Sequence, residues 1–360
     1  MTDSAQLYDP NARRDTPLLA GLKARIKRDG PIGIDAYMTE CLQHPEHGYY
    51  RNRNAIGAKG DFITAPEISQ IFGELIGLWC AIVWQQMGSP TQLRLIELGP
   101  GRGTLMADAL RATARVPSFH AALSVTLIES SDALASEQKK TLSAVTLPLH
   151  WQSDFALPNE NDQPTIIIAN EFLDALPVSQ MQRDDAGQPA TRRVGLDADD
   201  QLIFIPAERE NAEIATNVDT GDLVKGLLQP LKIAAALFID YGHTKQGQRD
   251  TLQAVRAHKP EHPLTSPGEA DLTNHVDFTD FSTRSTASGN LIAEPITTQA
   301  EFLGNLGLVE RAQRLIKANP DQTNMIEMSA GRLIAPQAMG TRFKVLGLRS
   351  PHLPPLPGFD

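Results

Sequence analysis

Acidic residues close two apolar runs of this chain and stand just past a third, and glycines follow the first. Leu95-Ile96-Glu97-Leu98 runs into Gly99-Pro100-Gly101-Arg102-Gly103-Thr104, Val125-Thr126-Leu127-Ile128 ends at Glu129, and Ile166-Ile167-Ile168-Ala169 leads into Asn170 and Glu171. Glycine tolerates positive φ and lets a ligand approach the backbone closely. The crevice past the carboxyl ends of parallel strands is where open α/β sheets bind ligands. Such a crevice can capture a nucleoside-type cofactor. A carboxylate at Glu129 can accept both hydroxyls of a ribose, a device that dehydrogenases share. In Trp151-Gln152-Ser153-Asp154-Phe155, Asp154 offers an acceptor for an adenine amino group and Phe155 an apolar wall. Asn170 and Glu171 stand where they could orient an acceptor or the cofactor, while Asp174 fits a local turn cap as well as a direct role.

A dinucleotide fingerprint requires a third glycine at position 104, for close helix packing beside a pyrophosphate. That position is Thr104. The pattern is instead E-x-G-x-G-x-G, which looks like the first motif of class I methyltransferases. There Glu97 would face the amino-acid end of S-adenosyl-L-methionine, with Gly99, Pro100, Gly101 and Gly103 forming the turn beneath it.

The elements that must hold these residues are legible in the periodicity. Strands over 93–98, 122–129, 146–151 and 164–169 alternate with helices over 103–114 and 131–143, and a further buried strand spans 233–240. That alternation predicts an α/β fold with a doubly wound, Rossmann-like parallel sheet covered on both faces. Thr64-Ala65-Pro66-Glu67 matches a capping box and predicts a long helix running to Gly88. A short amphipathic helix is expected over 17–29, and the turn-rich stretch 44–64 reads as a loop able to act as a lid. Short β-like runs near 177–183, 191–196 and 202–206 suggest an inserted antiparallel segment, followed by a helical pattern over 207–228. Last strands are expected at 291–296 and 343–348, with helices over 298–318 and 321–329 between them. The expected organisation is an N-terminal helical and loop cover over 1–90, a methyltransferase domain over 91–350 with an insertion at about 177–228, and a Pro-rich tail over 351–360.

Composition narrows the partners. A net charge of -10 over 360 residues gives no general attraction to phosphate backbones, so nucleic acid is not expected as a partner. A basic protein target suits that charge, as does solubility alone. Cys41 and Cys80 lie far apart and lack metal-ligand spacing, so no disulfide framework or metal site is predicted. No apolar run reaches the ~20 residues of a membrane span. Neither a secretory signal nor an Arg/Ser-rich, acid-poor leader is recognisable, and the sequence reads as that of a bacterial-type cytoplasmic protein.

Beyond single motifs, the chain resembles the MidA-like family of class I methyltransferases. The matching words include His47-Gly48-Tyr49-Tyr50, Gly60-Asp61-Phe62-Ile63-Thr64-Ala65-Pro66-Glu67, Phe72-Gly73-Glu74 and Glu97-Leu98-Gly99-Pro100-Gly101-Arg102-Gly103-Thr104. They continue through Ala169-Asn170-Glu171-Phe172-Leu173-Asp174-Ala175-Leu176-Pro177, Ile239-Asp240-Tyr241-Gly242 and Asp271-Leu272-Thr273-Asn274-His275. The resemblance implies S-adenosyl-L-methionine as cofactor. Mitochondrial relatives in the family methylate a protein arginine in support of respiratory complex I assembly, which implies a complex I subunit as a possible substrate.

A sulfonium carries an already activated methyl group, so the protein chiefly aligns the reacting atoms and excludes water. Carboxylates suit an arginine acceptor because they can grip a guanidinium by two hydrogen bonds. Glu171 is the first catalytic candidate, with Asp61, Glu67 and Tyr241 as further ones. Glu67 is equally explained as part of its capping box, and Tyr241 as part of a strand-end turn. Three other readings stand beside arginine methylation: another protein or small-molecule acceptor, a noncatalytic cofactor-binding assembly factor, and an NAD-dependent oxidoreductase. The last is disfavoured by Thr104.

Overall fold

A computed structural model describes residues 8–51, 64–155, 163–184, 186–208, 213–221, 223–244 and 250–360. Asp61, and residues 52–63 of the expected lid, lie outside the described residues. The chain forms two compact units. One comprises 63–173, 220–244 and 278–360; the other comprises 1–62, 174–219 and 245–277.

The first unit is built on a sheet. Its strands are β1 (Leu93–Leu98), β2 (Leu123–Ile128), β3 (Leu149–Gln152), β4 (Thr165–Asn170), β5 (Ala234–His243), β6 (Ile292–Ala293), β7 (Thr297–Thr298) and β8 (Phe343–Arg349). The order is β6-β8-β5-β4-β1-β2-β3, with β7 also on β8. β3, β2, β1, β4 and β5 are mutually parallel, while β8 runs antiparallel to β5. The strand order reverses at β1 and β4, which is the switch point where an open sheet leaves a crevice. All six residues of β1 are buried, as expected of a central strand covered on both faces.

Four helices matter to the site: α1 (Ala65–Ile68), α2 (Gln70–Gln86), α3 (Thr104–Thr113) and α4 (Asp132–Thr141). α2 and α3 approach closely because a Cβ on Gly77 would lie 2.6 Å from the Ala109 Cα, and one on Gly73 2.7 Å from the Asp108 Cβ. Between those glycines, buried Glu74 is gripped by Arg311 at 2.6 and 3.0 Å and by Arg111 at 3.0 Å. The Pro-rich end packs onto the same unit, with Leu353 and Leu356 buried and the Trp79 indole donating to the Pro357 carbonyl at 3.1 Å.

The second unit has its own core, including Leu22, Tyr37, Met38, Val178, Phe204 and Leu272. The helices Leu19–Asp29 and Ile34–Gln43 contribute to it. Val178–Arg183 pairs antiparallel with Ile214–Val218 and with Pro189–Thr191, and Ile32 pairs with Val194. Arg192 is fully buried over the Phe204 ring and donates to Gln180, Glu208 and Asp250.

Three expectations change. The helical pattern over 207–228 is instead the strand Ile214–Val218 and a single π turn at Leu223–Leu228, because pairing with Val178–Arg183 buries Ile214 and Val218 on one face. The helix over 298–318 is two helices, Gln299–Asn305 and Leu308–Ala318, broken where Gly307 adopts φ +87°. The chain also divides differently from a 1–90 cover. Residues between Leu18 and Tyr50 share a core with the inserted strands, whereas α1 and α2 belong with the sheet.

Candidate active site

At the end of β1 the Gly99 amide donates to the Ile128 carbonyl at 3.0 Å, extending the parallel ladder by one step before the chain turns. Gly99, Gly101 and Gly103 then take φ of +60°, +55° and +82°, the left-handed region where a side chain is strained. A Cβ on Gly99 would also lie 2.8 Å from the Phe172 ring. The turn closes through the Gly103 amide donating to the Pro100 carbonyl at 2.8 Å, and α3 begins at Thr104.

Glu97 is buried, and burial pushes its carboxyl from 4.5 up to about 8. Among the described residues its Oε2 has no hydrogen-bond partner. On β2's side, Glu129 Oε1 accepts the Ser131 amide at 2.7 Å and Oε2 accepts Gln138 Nε2 at 3.0 Å. Past β3, the Asp154 carbonyl accepts Gln152 Nε2 at 2.8 Å and its side chain is exposed. Phe155 stands edge-on to Phe172, with ring centroids 6.2 Å apart, so both rings belong to the neighbourhood of Gly99.

β4 ends at Asn170, whose Nδ2 donates to Glu171 Oε1 at 3.3 Å and whose buried Oδ1 has no partner among the described residues. Glu171 has φ +50°, a conformation that L residues rarely adopt. Its Oε1 accepts the Ala65 amide at 3.1 Å, and its own amide donates to the Ile239 carbonyl at 2.9 Å. Fully buried Asp240 holds the turn from β5. Oδ2 accepts the Phe172 and Leu173 amides at 3.1 and 2.9 Å, and Oδ1 accepts the Tyr241 amide at 2.9 Å. Tyr241 packs its ring against Phe343 at 5.6 Å.

The capping box does not form. Thr64 makes no side-chain cap bond, α1 stops after four residues, and extended Ser69 caps α2 by accepting the Ile71 amide at 3.3 Å. Glu67 is drawn away to the glycine turn, where it accepts the Thr104 hydroxyl and Arg102 Nη1 at 3.4 Å. Arg102 Nε in turn donates to Glu137 at 2.7 Å.

The structure thus brings Glu97, the glycine turn, Glu129, Phe155, Asn170 and Glu171 to the carboxyl ends of adjacent strands. Gln138, Asp240 and Phe172 join them without having been singled out in the sequence. Only Asp240 and Phe172 carried a signal, as members of words quoted above. The residues fit S-adenosyl-L-methionine. Two buried acceptor oxygens, on Glu97 and Asn170, lack donors among the described residues, and the glycine turn is a cradle that a Cβ on Gly99 would fill.

Fold and site together define a class I S-adenosylmethionine-dependent methyltransferase. The chain belongs to the S-adenosyl-L-methionine-dependent methyltransferase family whose profile matches residues 75–294. It is 36% identical to the mitochondrial protein arginine methyltransferase NDUFAF7 of Rattus norvegicus, over 94% of this chain and 85% of that protein. It is 35% identical to that of Homo sapiens, over 96% and 86%. A crystal structure of a candidate methyl transferase from Burkholderia thailandensis bound to S-adenosyl-homocysteine is 25% identical, with a TM-score of 0.83 over 96% of this chain and 97% of that one. The relatives from rat and human are mitochondrial proteins, which overturns the cytoplasmic expectation. Among the described residues no helix is long and apolar enough to cross a membrane.

Proposed function

We propose that the chain transfers the methyl group of S-adenosyl-L-methionine to an arginine of a protein substrate. The observation that carries this reading is Glu171, a carboxylate held in a rare backbone conformation beside a strand end, with the Ala65 amide and the Asn170 side chain on one of its oxygens. The identity to protein arginine methyltransferases over 94% of the chain supports it. The resemblance to the MidA-like family extends the proposal to a subunit of respiratory complex I as substrate.

The cofactor, when bound, supplies an activated methyl on a sulfonium. Glu129 receives the ribose hydroxyls, Phe155 lines the base, and Asp154 lies within the segment that meets the adenine amino group. Glu97 faces the α-ammonium, which would hold it in its ionised form. Asn170 and the glycine turn align the methyl-bearing end. Glu171 pairs with the guanidinium through charge-assisted hydrogen bonds and presents one nitrogen for attack. Each transfer replaces one nitrogen-bound hydrogen by a methyl, so one proton leaves per turnover.

The test incubates wild type and Glu171→Gln with methyl-labelled cofactor and a lysate from cells lacking the protein, then locates the label by mass spectrometry. Label on a protein arginine that falls with the variant is expected. Label confined to small molecules, or to residues other than arginine, overturns the reading.

A further inference from the structure

Gln138 is the one buried residue of helix α4, and it is completely buried. A buried primary amide must satisfy two N–H donors and one carbonyl acceptor. Here the Trp151 indole donates to Gln138 Oε1 at 3.0 Å. An indole nitrogen can only donate, so the oxygen must face Trp151 and the orientation of the amide is determined by chemistry. Its nitrogen therefore faces the other way, donating to the Gly101 carbonyl at 2.9 Å and to Glu129 Oε2 at 3.0 Å. Trp151 is itself held from the same helix, with Lys139 Nζ 5.2 Å from its ring centroid.

One side chain thus joins the middle glycine of the turn after β1 to the carboxylate after β2. The other carboxylate oxygen is fixed by the Ser131 amide at 2.7 Å. We infer that Gln138 is a positioning residue for the cofactor's ribose: it sets the distance and rotation of the Glu129 carboxylate relative to the glycine turn, so that the ribose hydroxyls and the chain beyond them are met together. The inference rests on the assignment of Glu129 to the ribose. Gln138 acts through Glu129 and through Gly101, without touching the cofactor. Methionine at 138 has a similar length and no donor. Glutamate would turn an acceptor oxygen toward a carbonyl and a carboxylate, which is repulsive unless that oxygen carries a proton.

A merely structural role would change stability or affinity for every ligand alike, so the readout is ribose discrimination. Calorimetry measures binding of S-adenosylhomocysteine and its 2′-deoxyribosyl analogue to the full-length wild type, Gln138→Met, Glu129→Gln and the double variant. Thermal melts of the ligand-free proteins run alongside. Wild type should prefer the ribosyl ligand. Gln138→Met should cut that preference by about tenfold, the worth of one hydrogen bond to a charged group, while leaving affinity for the analogue within about twofold. In the Glu129→Gln background the same substitution should cost no further preference. Gln138→Glu, which covers the case of a Gln138→Met that does not fold, should recover the preference as pH falls and its carboxyl regains a donor. An undiminished preference in Gln138→Met, or equal losses for both ligands, would overturn the positioning role while Glu129→Gln still abolished discrimination. Undiminished preference in Glu129→Gln would instead remove the ribose assignment itself, and this inference with it.

Discussion

The Glu171 carboxylate accepts the amide of Ala65, the first residue of α1, across 106 positions of sequence. The first residue of α1 is therefore tied to the same group proposed to meet the acceptor. Glu171→Gln keeps an oxygen for Ala65 and removes the charge. Thermal stability should stay within about 0.5 kcal/mol, and transfer at saturating cofactor should fall roughly ten- to hundredfold, the effect of one charge-assisted contact in the transition state. Glu171→Ala should lose the anchor as well, at a further cost of about 1 kcal/mol in stability. Equal activity of wild type and Glu171→Gln would remove Glu171 from the chemistry.

Asp240 controls the same turn from the neighbouring strand. Asp240→Asn cannot accept three amides as a carboxylate does, and its NH2 opposes at least one of them. Melting should show a loss of about 1–3 kcal/mol. The turnover number should fall severalfold while affinity for S-adenosylhomocysteine changes by less than about threefold, because the cofactor-side groups Gly99, Gly101 and Glu129 are untouched. A drop in affinity as large as that in turnover would place Asp240 with the cofactor site instead.

Glu97 makes stability depend on pH. Its carboxyl in the folded, ligand-free protein is raised from 4.5 to about 8, so the folded state binds a proton that the unfolded state has lost. The contribution is fully present below about pH 4.5 and is lost as pH rises towards 8, by up to about 1.4 kcal/mol per pH unit. Glu97→Gln should lack that slope, so the stability difference between the two proteins should change with pH across this range. Parallel melting curves of wild type and variant from pH 5 to 8 would contradict the assignment.

Glu67 separates two roles. Its bonds to Thr104 and Arg102 tie α1 to the glycine turn. Glu67→Ala should raise the KM for cofactor severalfold and leave kcat within about threefold. A fall in kcat of tenfold or more with an unchanged KM would return Glu67 to direct catalysis.

The sheet was legible because its central strands are buried on both faces. Runs such as Ile166-Ile167-Ile168 have few other places to go, and glycines mark where the first one turns. The glycine turn, Glu97, Glu129, Asn170 and Glu171 could be found for the same reason, since each follows an apolar run. Helix Ile34–Gln43 is absent from the sequence reading although Ile34, Tyr37, Met38, Cys41 and Leu42 keep helical spacing, because turn formers crowd both of its ends. Glu67 illustrates a different limit. A capping box and a tertiary hydrogen bond use the same carboxylate, and only the nearness of Thr104 decides between them. Gln138 had no signal at all: a glutamine in a polar helix looks solvated until Trp151, Gly101 and Glu129 surround it.

The location of the cofactor at the glycine turn is tested most directly by titrating S-adenosylhomocysteine and NAD into wild type and Gly101→Val in a calorimeter. Gly101 has φ +55°, so valine there is strained and brings a branched side chain to the surface that the cofactor must approach. Saturable binding of S-adenosylhomocysteine to wild type is expected, with none of NAD and a loss of at least a hundredfold in a folded Gly101→Val. Unchanged affinity in Gly101→Val, or saturable NAD binding without S-adenosylhomocysteine binding, would contradict the account.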